Sequence, residues 1–337
     1  MTTGMRDELM AIARVVLFVA GAVLFAVLLI EVGPAQVAAS FSELSWWLLV
    51  ILWFPFIFIN AFDTLGWKYA FRQDRLSFRT LLWARLAGEA VNATTPTASV
   101  GGDAVKAWVI RRHVPLDEGL PSVIIAKTTI TIAQALFLVL GIGVAWLTFP
   151  GNSPFLRAME ILLVLEVLGV GGFVLVQTVG VLGGAAQILR RLGLFTTDKT
   201  PSALDRVDDG LSRFYRDHPD RLILSVAAHF GGWVLSALEA YVILYALGLP
   251  VSVTTAILIE AFGTGIRFAS FMVPAHLGAL EGGHIAIFVA LGFTAPAGLT
   301  FSLVRRVREL AWTGVGFIAL AALRSPALAP AAAEREA

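Results

Sequence analysis

Six stretches of the chain are apolar over about the width of a membrane: residues 13–32, 45–62, 123–147, 156–182, 222–247 and 299–323. A helix needs about 20 mostly apolar residues to cross about 30 Å of hydrocarbon, so each stretch predicts a spanning helix. Arg6 and Arg14 before the first stretch, with Ala38 and Ala39 after it, resemble a secretory signal. The spanning length of that stretch, and the membrane pattern that follows it, favour a retained anchor.

Two further stretches are apolar but interrupted. Residues 81–109 contain Glu89, Asn92, Thr94, Thr95, Pro96, Ser99, Gly101, Gly102 and Asp103, with basic residues at both ends. Proline removes a backbone donor and glycine relaxes the dihedrals. The pattern predicts a helical hairpin, broken near 96–102, that enters and leaves the membrane by one face. Residues 255–290 are broken in the same way around 273–283, between uncharged flanks. This second hairpin is expected to dip from the other face.

Aligning the breaks on Pro96 and Pro274 puts Asp103 and Glu281 seven residues after each proline, and Glu89 and Arg267 seven residues before. The order span, span, hairpin, span occupies residues 11–147 and recurs over 155–323. An odd number of crossings per unit turns the second copy upside down. Inverted halves with Gly/Pro-interrupted segments point to a transporter whose site lies between them. The expected fold is an all-α polytopic membrane protein, a single domain over residues 1–330. It has about six full spans and two opposed re-entrant hairpins in an inverted repeat.

Composition agrees. Apolar residues make up 58% of the chain and charged residues 15%, and the mean hydropathy is +0.81. A soluble domain has about 25% charged residues, so that class is excluded. A formal net charge of +1 gives no broad basic surface for nucleic acid, and the absence of cysteine excludes thiol chemistry. Lys and Arg gather around residues 6–14, 68–85, 106–112 and 190–221, while 33–45, 148–154 and 248–252 have none. Translocated short loops are depleted in positive charge, so both termini are expected in the cytoplasm, with the chain in the inner (plasma) membrane.

The charges near the breaks carry the chemistry. A charge at mid-bilayer costs at least about 2.5–3.5 kcal/mol on insertion scales. Glu89, Asp103, Arg267 and Glu281, with Lys127, Arg305 and Arg308 from neighbouring spans, are therefore candidate substrate ligands. Non-helical backbone at that depth needs protein or water around it, which implies a polar cavity. Helix ends rich in free N–H groups favour anions there, and a phosphate-bearing lipid headgroup suits such a site. Structural readings stand beside this one. Arg267 with Glu281, or Glu89 with a neighbouring lysine, would also fix a hairpin as a buried pair. Asn92, Thr94 and Thr95 would satisfy freed backbone groups, and Gly101, Gly102, Gly282 and Gly283 would allow close packing. Helical spacing puts Arg305, Arg308 and Glu309 on one face and turns Arg306 away. At the start of the last span these arginines read either as snorkelling anchors or as cavity lining.

Signals of enzyme chemistry are thin. Glu281 and His284 have a Glu-x-x-His spacing, but a metal site needs more ligands. There is no nucleophile elbow, zincin helix or P-loop. Neither an enzymatic activity nor a metal or other cofactor is expected. His113, His218 and His229 read as interfacial residues without partners. In the cytoplasmic loop 183–221, Leu204, Val207, Leu211 and Phe214 share a face opposite Arg206, Asp209, Arg213 and Arg216. This predicts an amphipathic helix lying on anionic headgroups or docking a partner. The Ala/Pro-rich tail 325–337 is expected to be disordered.

Taken together, Glu89-Ala-Val-Asn92, Pro96, Gly101-Gly102-Asp103, Pro274, Gly278, Glu281 and the basic start of the last span resemble the lysylphosphatidylglycerol synthase transmembrane, or flippase-like, family. The likeness covers about residues 10–323. The run from Arg305 to Trp312 is similar to members associated with hopanoid biosynthesis. The resemblance implies a membrane domain that moves lipids between leaflets without hydrolysing ATP. It marks Asn92, Pro96, Gly102, Asp103, Arg267, Pro274, Gly278, Glu281 and Arg305 as functional positions. No soluble aminoacyl-transferase domain follows the last span, so aminoacylation of lipid is not expected. Membrane lipids are the expected partners. The alternative is a membrane-embedded accessory or enzyme of hopanoid or phospholipid synthesis, working with other lipid-synthesis proteins.

Overall fold

Each of the six apolar windows falls largely on helix within the described residues. In a computed structural model, residues 3–44, 46–95, 100–178, 201–270 and 273–324 are described. Pro96, the stretch 183–200 and the tail 325–337, on which expectations were set above, lie outside them. The first half of the chain forms α1 (Thr3–Val32), α2 (Pro34–Leu44), α3 (Trp47–Trp53), α4 (Phe56–Tyr69), α5 (Phe78–Thr94), α6 (Val100–Ile110) and α7 (Leu116–Thr148). The second half forms α8 (Pro154–Thr178), α9 (Pro201–Asp217), α10 (Pro219–Ala246), α11 (Val253–Ala269), α12 (Ala279–Ala290) and α13 (Ala295–Arg324). The described residues contain no strand.

Among the described residues, three segments are both long and apolar enough to cross a membrane: Trp47–Tyr69, Leu116–Thr148 and Pro219–Ala246. The stretch between α1 and α3, expected as a loop, is instead the helix α2. It packs on α13 and buries Val37 and Leu44.

The interrupted stretches fold as two helix pairs of matching build. α5 and α11 each have 17 residues, and α6 and α12 have 11 and 12. At 1.5 Å per residue the second arms are about 17 Å long, half of the hydrocarbon thickness. Serine caps the first arm in both pairs. Ser77 Oγ accepts from Thr80 N–H at 3.2 Å, and Ser252 Oγ from Thr255 N–H at 3.0 Å. Each serine thereby satisfies one of the donors that a helix start leaves open. The second break spans 270–278, earlier than expected, and the first opens after Thr95. Gly101, Gly102, Gly282 and Gly283 thus belong to the second arms rather than to the breaks. Packing is the reason, because a side chain on Gly102 would strike the Gly88 carbonyl and one on Gly283 would strike Ile266.

The helices pack crosswise between the halves. α5 lies along α13, α11 lies along α7, and α4 lies along α10. The α4–α10 contact is tight because Gly66 leaves room for the His229 ring and Gly232 leaves room for Asp63. The main apolar core joins α7, α8, α10, α11, α12 and α13 through residues such as Phe137, Met159, Ile243, Ile259, Phe288 and Phe301. A second cluster lies around Trp67, Phe71, Leu81 and Ile110, and it takes in Val207, Leu211 and Phe214 of α9. This corrects the expectation for the amphipathic helix, since its apolar stripe is buried against protein rather than laid on lipid.

Candidate functional site

Between the halves lies a cavity of about 700 Å³. Its walls come from α4, the C-terminal part of α5, α10, the end of α11, the turn 273–277 and the middle of α13. Its lining is mixed, with charged residues Asp63, Arg85, Glu89, Arg267, Arg305, Arg306, Arg308 and Glu309. Apolar residues Phe18, Phe56, Ile59, Leu277, Leu310 and Trp312 line it as well. Phe18 and Leu310 are exposed.

Arg305, Arg306 and Arg308 on α13 hold one end of the charged lining. The helix begins at Ala295, so Arg305 stands ten residues inside it and not at the start of a span. Arg305 and Arg308 are only 5% and 3% exposed, which removes the snorkelling-anchor reading. Arg305 pairs with Glu260 at 2.6 Å and Glu239 at 3.2 Å. Arg308 pairs with Glu239 and lies 3.9 Å over the Phe56 ring. Arg306, expected to point away, also lines the cavity, because the turn 273–277 folds back over that flank of the helix. It binds Glu281 and donates to the Ala275 carbonyl at 2.8 Å. These contacts hold a costly backbone, since Ala275 and His276 have φ near +50°, a region that disfavours L side chains.

Glu281 has a second task. Its Oε2 accepts from the Gly278 N–H at 2.7 Å, closing the start of α12. Gly278, at φ +77°, sits against the Gly21 carbonyl of α1, where a side chain would not fit. Pro274 opens the short turn before it. The Glu-x-x-His spacing does not converge on a point, since Glu281 serves Arg306 and His284 meets Ser302 Oγ at 3.0 Å. Arg267 is not the partner of Glu281. It faces the cavity and makes no hydrogen bond or ion pair with a described residue.

At the other end, Glu89 lies in the cavity wall and pairs with Lys106 at 2.7 Å. Lys106 also meets Asp103 at 3.0 Å, and Asp103 meets Lys127 at 3.6 Å. Asp103 and Lys127 therefore act behind the wall, through Lys106. Asn92 lines the cavity and accepts from the Gly102 N–H at 2.7 Å, tying α6 to α5. Counted from the capping serines, Asn92 and Arg267 are equivalent, each fifteen residues on. By the same count Arg85 corresponds to Glu260, whereas the proline alignment had set Glu89 against Arg267.

Sequence reasoning missed Asn60, Asp63, Arg85, Glu239 and Glu260. Arg85 binds Asp63 at 2.6 Å and Asn60 at 2.5 Å. Asp63 also meets His229 at 3.3 Å, so that histidine is a buried partner rather than an interfacial residue. The available signal was a lone charge inside an apolar run, as at Glu239 and Glu260.

Comparison with known proteins agrees with this architecture. Residues 11–316 match the model of the family described as the lysylphosphatidylglycerol synthase TM region. A UPF0104 membrane protein of Methanothermobacter thermautotrophicus is 22% identical over 306 residues, which cover 87% of this chain and 90% of that protein. No solved structure matches. With its helices and the match spanning nearly all of its length, the chain is a membrane protein and belongs to the lysylphosphatidylglycerol synthase transmembrane-region family.

Proposed function

We propose that the protein moves an amphiphile with an anionic headgroup between the leaflets of the inner (plasma) membrane, without an ATPase of its own. The headgroup binds among the charged residues of the lining, and the hydrocarbon part lies against its apolar residues, Phe18 and Leu310 among them. The observation that carries this reading is Arg267. Arg305, Arg306 and Arg308 each have a buried carboxylate partner, whereas Arg267 lines the cavity with no hydrogen bond or ion pair to a described residue. Guanidinium binds phosphate oxygens through paired, charge-assisted hydrogen bonds.

The transport scheme uses six spans, supplied by α1, α3–α4, α7, α8, α10 and α13, with α5–α6 and α11–α12 as opposed re-entrant hairpins. Equal arm lengths, matching serine caps and the crosswise packing of α5 on α13 and α11 on α7 support an inverted repeat. Rocking of one half against the other then opens the cavity to each leaflet in turn. With both termini in the cytoplasm, the ion pairs Arg75–Glu118 and Arg221–Asp74 lie on the inner face.

The test is headgroup translocation in proteoliposomes, using fluorescent phosphatidylglycerol and an impermeant quencher. The wild-type protein is expected to expose inner-leaflet probe faster than empty vesicles, and Arg267→Ala is expected to fall to their rate while remaining folded. Equal rates for the variant and the wild type would overturn the assignment. A chemically altered lipid in the wild-type vesicles would move the reading to an enzyme of lipid synthesis.

A further inference from the structure

Glu166 lies outside the cavity, and nothing in the transport reading uses it. It is the thirteenth of the 25 residues of α8, so about 18 Å of helix separates it from either end. Its neighbours Val164, Leu165, Val167 and Leu168 are exposed on the outside of the bundle. Glu166 itself is fully buried in the face of α8 that packs on α7 and α11. Neither of its carboxyl oxygens has a hydrogen-bond partner among the described residues.

The amide of Gln134, on α7, stands beside it, short of a hydrogen bond. Gln134 Nε2 donates to the main-chain carbonyl of Thr264 at 3.3 Å. Thr264 is on α11, three residues before Arg267. The charged groups on the elements around Glu166 are engaged elsewhere or face away. On α7, Lys127 pairs with Asp103; on α11, Glu260 pairs with Arg305 and Arg267 faces the cavity. On α9, Asp209 pairs with Arg213, and on α8 itself Glu160 accepts from Trp146.

An ionised carboxylate with neither donor nor counter-ion is costly in apolar surroundings. The neutral acid has one O–H, which the carbonyl oxygen of the Gln134 amide is able to accept. The carboxylate only accepts, and competes with the Thr264 carbonyl for the two Nε2 hydrogens. The protonation state of Glu166 therefore sets which end of the Gln134 amide faces it, and with it the tie from α7 to α11.

We propose that Glu166 is a proton-binding site whose occupancy, passed through Gln134 to the helix bearing Arg267, couples lipid movement to the proton gradient. The proton comes from water on one side of the membrane and returns to water on the other. The coupling rests on the transport reading, whereas the proton site does not.

Two measurements test it. The infrared difference spectrum of the purified protein between acid and alkaline buffer is expected to show a protonated-carboxyl band that is missing in Glu166→Gln. A spectrum identical in wild type and variant would overturn the proton site. In the proteoliposome assay an imposed pH gradient is expected to change the wild-type rate several-fold, and the Glu166→Gln rate not at all. A wild-type rate insensitive to the gradient, or a variant that keeps the wild-type response, would overturn the coupling. Failure of the wild type to move lipid at all overturns the transport reading and the coupling together, and the infrared experiment still decides whether Glu166 binds a proton.

Discussion

The two ends of the cavity use charge in opposite ways. Around α13 the pairs are fully enclosed: Glu239, Glu260 and Glu281 are at most 1% exposed and each is matched to an arginine. Around α5 the Glu89 side chain is 44% exposed and shares Lys106 with Asp103. Burial sets the consequence. Removing one member of an enclosed pair strands a charge at a cost of about 3–5 kcal/mol, while a solvent-accessible pair contributes about 0–1 kcal/mol. The glutamates paired to α13 thus form a fixed frame, and the Glu89–Lys106 pair is adaptable.

The contrast is exposed most sharply by Glu239→Gln, which leaves Arg305 and Arg308 short of a partner. It is expected to destabilise the protein by about 3–5 kcal/mol, read as a lower melting temperature in detergent. Next in size is Arg267→Ala, with at least a tenfold loss of headgroup translocation and little change in melting temperature, because no protein partner is lost. Glu89→Gln is expected to cost no more than about 1 kcal/mol, and a loss as large as that of Glu239→Gln would dissolve the distinction between the two ends.

The smallest effect lies outside the cavity, in the turn after α4. The Arg221 guanidinium hydrogen-bonded to Asp74 holds that half-exposed carboxyl below its usual range. A depressed carboxylate stabilises the fold above its unfolded value and loses that contribution as the pH falls through the folded one. Asp74→Asn should therefore lower the melting temperature slightly at neutral pH and make no difference in strong acid.

Much of this design was legible in the sequence. Apolar runs of spanning length located the long helices, and Pro274 and Gly278 located the second break, because each effect is local to its own residues, whereas Gly101, Gly102, Gly282 and Gly283 fell in helices. The helix α2 was not legible, since its short amphipathic sequence draws its order from packing on α13. The destination of the apolar stripe of α9 escaped for a related reason, as lipid and a protein groove attract the same pattern. Pairing was the hardest to read. Glu281 had been set beside Arg267 on proximity in the chain, yet it serves Arg306 on another helix. Glu239 and Glu260 looked like single exceptions in greasy segments, and only the approach of α13 gives them a purpose.

Chain order gives that approach a further meaning. Glu260 precedes Arg305 by 45 residues, and Glu239 precedes Arg308 by 69. During synthesis both acids leave the ribosome before the cations that neutralise them. Glu281 likewise precedes Arg306, by 25 residues, so a nascent protein halted ahead of the last long helix would carry three acids without their arginines.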